Sequence, residues 1–161
     1  MIMRLEELNA LGSEAAEAAF LRCCGSTSWA RAMAAARPFA TMNDLSSGAD
    51  ERFRKLGPAD WLEAFRAHPR IGESGGAWSD EEQAGMRAAA DDVHRKLAAA
   101  NRQYEAYFGY IFIVCATGKS AGEMLATLEN RLTNDPATEL RIAAEEQRKI
   151  TKLRIDKLLT S

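Results

Sequence analysis

Most of the chain follows the pattern of amphipathic helices, in which apolar residues recur about every three to four positions. Ala, Leu, Glu, Arg and Lys, which are among the better helix formers, dominate the sequence. Glycines, prolines and capping residues divide the pattern into segments of unequal length. The pattern predicts an all-α fold, a single irregular helical domain of about eight helices, rather than a regular four-helix bundle. We expect this domain to span residues 1–161.

Helix boundaries in the first half of the chain are predicted from capping residues and prolines. Ser13 is expected to cap a helix that runs to about Cys24. Its apolar face would carry Ala16, Phe20 and Leu21, together with that cysteine. Proline is tolerated as the first helical residue and disfavours helical geometry in the residue before it. The other predicted helices are Ser28 to about Arg37, Asn43 or Asp44 to Gly57, and Pro58 to about His68.

The second half contains two capping boxes, in which a serine is followed three residues later by a glutamate. Before the first of these, residues 71–78 contain three glycines and are expected to form a loop. The predicted helices are Ser79 to about Tyr107 with Glu82 in its capping box, Ser120 to about Leu132 with Glu123 in its capping box, and Pro136 to about Leu159.

The run FGYIFIVCA at residues 108–116 departs from the helical pattern. It is continuous, β-branched and aromatic, and it carries no charge. Periodicity does not distinguish a buried extended segment from a fully buried helix, so both conformations stay open.

The composition is that of a globular protein, with 47% hydrophobic and 27% charged residues. Lys and Arg number 21 against 23 Asp and Glu, and this balance argues against binding to nucleic acid through phosphates. No apolar run approaches the ~20 residues that span a bilayer. Acidic residues interrupt the first positions, where a signal peptide would have its apolar core. We therefore expect a cytoplasmic protein that binds neither nucleic acid nor a membrane.

The three cysteines, Cys23, Cys24 and Cys115, form a poor disulfide framework because their number is odd and two are adjacent. Buried, reduced thiols are expected. A catalytic pair of Cys23 or Cys24 with His68 is possible in principle, but nothing in the sequence orients it. The histidines and cysteines lack the spacing of metal ligands, so no metal site is expected.

His68 stands where a predicted helix meets the glycine-rich loop, in the stretch AHPRIGE. An imidazole suits proton transfer near neutral pH. The alternative is a surface histidine that closes a helix, where the helix dipole favours a cation. The other histidine, His94, follows Asp91 by three residues, and a surface ion pair is expected there.

The acidic stretch SDEEQ at residues 79–83 opens the predicted long helix. Carboxylates at a helix N-terminus are ordinary caps, and this explanation suffices for Glu82. The free N–H groups of a helix start also bind anionic ligands. Only ten residues, Pro69 through Trp78, separate this stretch from His68, so the two could line one cleft.

Arg154 lies on the inward stripe of the last predicted helix, at ~100° per residue. The residues on or near the same stripe are Leu140, Ala144, Gln147, Thr151 and Leu158. An inward guanidinium needs a buried carboxylate or an anionic ligand as its partner. A snorkelling or ion-paired arginine at a loosely packed helix end is the alternative.

These residues occur in stretches that resemble the OHCU decarboxylases, which act on 2-oxo-4-hydroxy-4-carboxy-5-ureidoimidazoline in urate degradation. The most specific pair of motifs is HPRIG at residues 68–72 followed by SxxEQxG at residues 79–85. The resemblance extends in order over nearly the whole chain. Further matching stretches are CGS at 24–26 with Trp29, RPF at 37–39, WLEAF at 61–65, Asn101, Tyr104, FGYIF at 108–112, GKS at 118–120, RLxN at 131–134, Glu139–Leu140, and Lys149–Ile150 with Leu153–Arg154.

The resemblance implies an all-helical, cofactor-independent enzyme, commonly a homodimer, that converts OHCU to (S)-allantoin and carbon dioxide. It implies catalytic roles for His68, Glu82 and Arg154. The substrate contacts that it implies are Pro69, Ser79, Gln83 and the apolar segment Phe112, Ile113, Val114, Cys115 and Ala116.

Two other functions compete with this one. A non-catalytic helical interaction domain would use HPRIG and the acidic stretch only as turns and caps. A hydrolase acting earlier in the pathway, on 5-hydroxyisourate, would be β-rich with several histidines, and this sequence does not support it.

Overall fold

The computed structural model of the chain describes residues 2–70 and 91–160. Within these residues it contains eight α-helices and one pair of two-residue strands, so the predicted all-α fold is confirmed. The strands β1 (Met3–Arg4) and β2 (Leu159–Thr160) pair in parallel. The helices are α1 Leu5–Ala10, α2 Ser13–Cys23, α3 Thr27–Ala35, α4 Met42–Arg54, α5 Pro58–Arg66, α6 Asp91–Phe108, α7 Ala121–Arg131 and α8 Pro136–Leu158.

The chain divides into two compact units. The first unit comprises Met1–Ala64 and Gln147–Ser161, and the second comprises Phe65–Glu146. Helices α5 and α8 cross the boundary along the chain and contribute residues to both units.

Local chemistry fixes several helix starts where the sequence predicts them. Pro58 and Pro136 are the first residues of α5 and α8. Ser120 caps α7, because its Oγ accepts the Glu123 N–H and the Glu123 carboxylate accepts the Ser120 N–H, each at 3.1 Å. This reciprocal pair satisfies two N–H groups that the helix leaves open.

Other predicted caps are wrong by one or two residues. Ser13 is the first residue of α2 rather than its cap, which is Gly12. Helix α3 begins at Thr27 instead of Ser28, because Ser26 accepts the N–H of Trp29 at 3.2 Å. The remaining differences are that α4 begins at Met42 after a Thr41 cap and ends at Arg54, before Gly57.

The predicted apolar face of α2 is confirmed except at Leu21. Ala16, Phe20 and Cys24 are buried as predicted, whereas Leu21 is 39% exposed and Ala19 and Cys23 are buried as well. The predicted inclusion of Leu21 is therefore wrong, since the helix turns its Ala19 and Cys23 positions inward.

The core of the first unit centres on two aromatic side chains. Phe20 and Trp29 are fully buried and meet edge to face, with ring centroids 5.8 Å apart. The Trp29 indole N–H donates to the carbonyl of Ala49 at 3.1 Å, which joins α3 to α4. Arg37 donates to the carbonyls of Leu8 and Leu11 at 2.9 and 2.6 Å, and so satisfies groups at the end of α1.

The core of the second unit lies between α6, α7 and the irregular segment that joins them. Tyr104, Phe112, Met124 and Leu128 are buried together there. Residues 111–116 adopt neither helix nor strand, so the helical alternative for the apolar run is excluded. Gly109 and Gly118 flank this segment at φ of 87° and 79°, a conformation that glycine adopts without a Cβ penalty.

None of the helices in the two described ranges combines the length and the apolar character needed to cross a membrane.

Candidate functional site

His68 follows directly on the last turn of α5. Its backbone N–H donates to the carbonyl of Phe65 at 3.1 Å, and its side chain is half-buried. The helix ends at Arg66, close to the predicted position, because Pro69 disfavours a continued helix. The imidazole therefore occupies the end of a helix in a partly enclosed position.

The turn that contains His68 and Pro69 is held on two sides within the second unit. Before it, the buried ring of Phe65 lies 5.2 Å from the ring of Tyr110. After it, Arg70 forms a two-pronged ion pair with Glu105 of α6, with both N–O distances at 2.9 Å. A bidentate guanidinium pair fixes direction as well as distance, so the His-Pro turn has a defined orientation.

The segment Phe112–Ala116, predicted to line the substrate pocket, belongs to the same unit. Its side chains are buried except for that of Cys115, which is half-buried. Two charged side chains hold its backbone. Arg131 donates from Nη1 to the carbonyl of Ile113 at 2.7 Å, and Glu146 accepts the N–H of Cys115 at 2.9 Å.

A buried carboxylate organises the residues behind this segment. Glu139 is fully buried and accepts Arg131 Nε at 2.8 Å, Asn134 Nδ2 at 3.1 Å and the hydroxyl of Tyr104. The guanidinium carbon of Arg131 also lies 4.6 Å from the centroid of the Phe112 ring. We call Tyr104, Arg131, Asn134 and Glu139 the Glu139 cluster.

Electrostatics keep the Tyr104 hydroxyl protonated in this cluster. Burial strongly raises the pKa of the phenol, and its hydrogen bond to the Glu139 carboxylate raises it further. The hydroxyl therefore stays protonated near neutral pH and donates to Glu139.

The sequence predicts no role for the members of the Glu139 cluster. Arg131 lies in the last turn of α7 and Glu139 in the first turn of α8, where a basic and an acidic residue are ordinary. The signal available in the sequence was the short connection between the two helices, which brings their ends together.

Arg154 belongs to the first unit and is half-buried on α8. On its predicted stripe Ala144, Gln147, Thr151 and Leu158 are buried, whereas Leu140 is only half-buried. The predicted inward stripe is thus confirmed for four of its five named neighbours.

The positive charge of Arg154 affects the pKa of the thiols of Cys23 and Cys24. Burial raises the pKa of Cys23 to about 12 and that of Cys24 to about 11, and the positive charge of Arg154 opposes the rise at both. Both thiols are neutral near pH 7, and thiolates are the reactive species, so neither has the character of a nucleophile. The prediction of buried, reduced thiols is confirmed for these two, while Cys115 forms no disulfide and is only half-buried.

The other predicted site residues, Ser79, Glu82 and Gln83, lie outside the described residues. Among the described residues, no three His, Cys, Asp or Glu side chains are grouped closely enough to hold a metal ion.

The sequence of the chain matches a known protein family. The sequence model of the OHCU decarboxylase family matches residues 9–156. A bifunctional uric acid degradation protein of Arabidopsis thaliana is 39% identical over 147 residues, which are 86% of this chain and 45% of that protein. A 2-oxo-4-hydroxy-4-carboxy-5-ureidoimidazoline decarboxylase of Amia calva is 31% identical over 81% of this chain and 79% of its own length.

A solved structure shares both sequence and fold with the chain. The crystal structure of an OHCU decarboxylase in the presence of (S)-allantoin superposes with a TM-score of 0.80 at 38% identity. The match covers 86% of this chain and 95% of the crystallised one.

Proposed function

We propose a function on the premise that this chain belongs to the OHCU decarboxylase family. The chain converts OHCU to (S)-allantoin and carbon dioxide, a carboxy-lyase reaction of urate degradation. The observation that carries this conclusion is the family match over residues 9–156, which spans every predicted site residue. The solved relative with 38% identity, crystallised in the presence of (S)-allantoin, supports the same reaction.

The substrate supplies its own electron sink. The carbon that loses the carboxylate bears a hydroxyl and adjoins a ring imine, so the electron pair of the broken C–C bond passes into the imine. An enol-like intermediate results. Protonation of the neighbouring ring carbon, which was the imine carbon, from one face then sets the S configuration. The protein's task is therefore to bind the ring, orient it and move protons, without a cofactor.

His68 is the residue that we assign to proton transfer, either at the substrate hydroxyl or at the nascent ring carbon. Its half-buried position at the end of α5, on a turn held by the Arg70–Glu105 pair, supports this role. Positioned acid–base catalysis contributes ~10²–10⁴-fold to a rate.

Glu82 and Arg154 complete the proposed catalytic set. Glu82 would hold the ureido or ring N–H groups or position His68. Arg154 would bind an anionic or carbonyl edge of the substrate, where a planar guanidinium gives orientation as well as charge. The proposed substrate contacts are Pro69, Ser79, Gln83 and the apolar wall Phe112–Ala116.

We also propose that the chain acts as a homodimer in the cytoplasm. The homodimer follows from the family resemblance. The two buried, neutral thiols Cys23 and Cys24 are compatible with a reducing compartment.

The test is to generate OHCU in situ from urate with the upstream enzymes and to follow circular dichroism as (S)-allantoin forms. We expect the purified chain to accelerate the appearance of the optical signal, with and without a chelator. A signal that develops no faster than spontaneous decay would contradict the proposal and favour the interaction domain.

Arg154→Lys tests the role of the guanidinium in the same assay. Lysine keeps the charge but not the planar fork, and a misplaced substrate costs up to about 100-fold, so we expect kcat/KM to fall about 10- to 100-fold. Arg148→Lys on the same helix is the matched control, because Arg148 pairs with Asp50 at 3.1 Å and has no role assigned at the site. Near-normal kinetics of Arg154→Lys would indicate a structural arginine instead.

A further inference from the structure

We propose that Arg131 and Glu146 are positioning residues for the reaction and act through the backbone of segment 112–116. The inference rests on the proposed function, because that function makes this segment a wall of the substrate pocket. Neither side chain is among the residues assigned above to catalysis or substrate contact.

The backbone of segment 112–116 needs hydrogen-bond partners from outside the segment. Buried N–H and C=O groups must find partners, and residues 111–116 have neither a helix nor a paired strand to supply them. Two charged side chains supply a partner to one group each, Arg131 to the carbonyl of Ile113 (2.7 Å) and Glu146 to the N–H of Cys115 (2.9 Å). The two contacts lie on either side of Val114. The carbonyl of Ala116 accepts the N–H of Lys119 at 3.0 Å.

The orientation of Arg131 is fixed before it reaches the segment. Its Nε donates to Glu139 at 2.8 Å, and the Phe112 ring lies 4.6 Å from its guanidinium carbon. A planar guanidinium held at one edge points its remaining N–H groups in a set direction. The carbonyl of Ile113 is therefore located by the Glu139 cluster.

Glu146 fixes the other side of the segment. Its side chain is buried, and Nζ of Lys119 lies 4.0 Å from Oε1. The carboxylate therefore accepts the Cys115 N–H in a position that α8 determines, since Glu146 is a residue of that helix.

A small shift of the segment has a large kinetic consequence. Catalysis depends on near-attack geometry, and a displacement of about 1 Å costs about 100-fold. We therefore expect loss of either contact to lower kcat/KM by about 10- to 100-fold while the folded chain persists.

The first variant set separates the hydrogen bond of Glu146 from its charge. Glu146→Leu removes the acceptor and is expected to lower kcat/KM, whereas Glu146→Gln keeps an acceptor oxygen and should restore most of the loss. Lys119→Met removes the neighbouring cation and should leave kcat/KM unchanged.

The second variant set distinguishes the kinetic effect of losing the Ile113 contact from the effect of destabilising the Glu139 cluster. Arg131→Lys offers a single ammonium that cannot serve both Glu139 and the Ile113 carbonyl, so it should lower kcat/KM. Tyr104→Phe disturbs the same carboxylate but leaves the Ile113 contact in place. It should lower the melting temperature, and it should lower kcat/KM by less than Arg131→Lys does.

Hydrogen exchange of the Cys115 amide is measured beside kcat, KM and the melting temperature of each variant. The proposal predicts faster exchange and lower kcat/KM in Glu146→Leu, with recovery of both in Glu146→Gln. Faster exchange with unchanged kinetics, in an active wild-type background, would overturn the positioning role alone. An inactive wild-type chain would overturn the proposed function and the positioning role with it.

Discussion

Two charged clusters built from the same kinds of side chain differ in their burial. In the second unit, the side chains of Arg131 and Glu139 are 7% and 0% exposed. In the first unit, Asp50 binds Arg148 and Lys152 at 3.1 Å each, and the Arg148 and Asp50 side chains are 20% and 15% exposed. We call these three residues the Asp50 cluster.

The difference in burial indicates how each cluster contributes to stability. Water still screens the Asp50 cluster, so its ion pairs add a modest increment to stability. Arg131 and Glu139 are shielded from solvent, so removing either one leaves the other as a buried charge without its partner. One cluster joins two helices, whereas the other fixes the backbone of the proposed substrate wall.

Glu139→Ala is the change expected to have the largest effect on the comparison. It leaves the Arg131 guanidinium buried without its carboxylate, and such a loss costs about 3–5 kcal/mol. The free energy of unfolding, measured by urea titration, should fall by that amount. Glu139→Gln keeps an acceptor and should lose less, and a loss below about 1 kcal/mol in the alanine variant would mean that water reaches Arg131.

Tyr104→Phe should have an intermediate effect. It removes one hydroxyl donor to a buried carboxylate, and hydrogen bonds to charged groups contribute about 1.5–3 kcal/mol. The same urea titration measures it. A variant as stable as the wild type would show that the hydrogen bond from the phenol to Glu139 adds nothing to the free energy of unfolding. The Glu139 and Asp50 clusters would then contribute to stability in a similar way.

Asp50→Asn should have the smallest effect, about 1 kcal/mol near neutral pH, and the effect should weaken with added salt. Unfolding free energies of the variant and the wild type at several salt concentrations measure this. A loss as large as that of Glu139→Ala would erase the contrast between the two clusters.

The stability difference between the wild type and Asp50→Asn should also depend on pH. Partial burial opposes ionisation of Asp50, but hydrogen bonds from Lys152 and Arg148 outweigh it and lower the pKa of the carboxyl. Because the folded pKa lies below the unfolded value of about 3.9, the stabilisation is present above about pH 4. It is lost as the pH falls through the folded pKa, so the difference between wild type and Asp50→Asn should shrink on acidification. A difference that grows in acid would have the wrong sign.

Sequence reasoning located the helices where local chemistry decides them. Pro58, Pro136 and the capping box of Ser120 and Glu123 act within one turn, so their effects can be predicted without the fold. The predicted start of a helix is wrong where two capping residues compete. Ser26 and Ser28 are both plausible caps for α3, and the structure uses Ser26.

The candidate site was only partly accessible to the same reasoning. His68 is visible because a His-Pro junction ends a helix, and Arg154 because it breaks an apolar stripe. The Glu139 cluster is not visible, because its contacts join Tyr104 to a residue 35 positions later. The conformation of residues 111–116 likewise depends on tertiary partners, which periodicity does not contain.

The central claim is that one imidazole moves the proton that makes the product chiral, and the chain provides its own control because it has two histidines. The decisive measurement is the circular dichroism of allantoin formed from in situ OHCU by His68→Ala and by His94→Ala. We predict a loss of about 10²- to 10⁴-fold in enantioselective turnover for His68→Ala, with normal turnover for His94→Ala. Full stereospecific turnover by a folded His68→Ala chain would contradict the account.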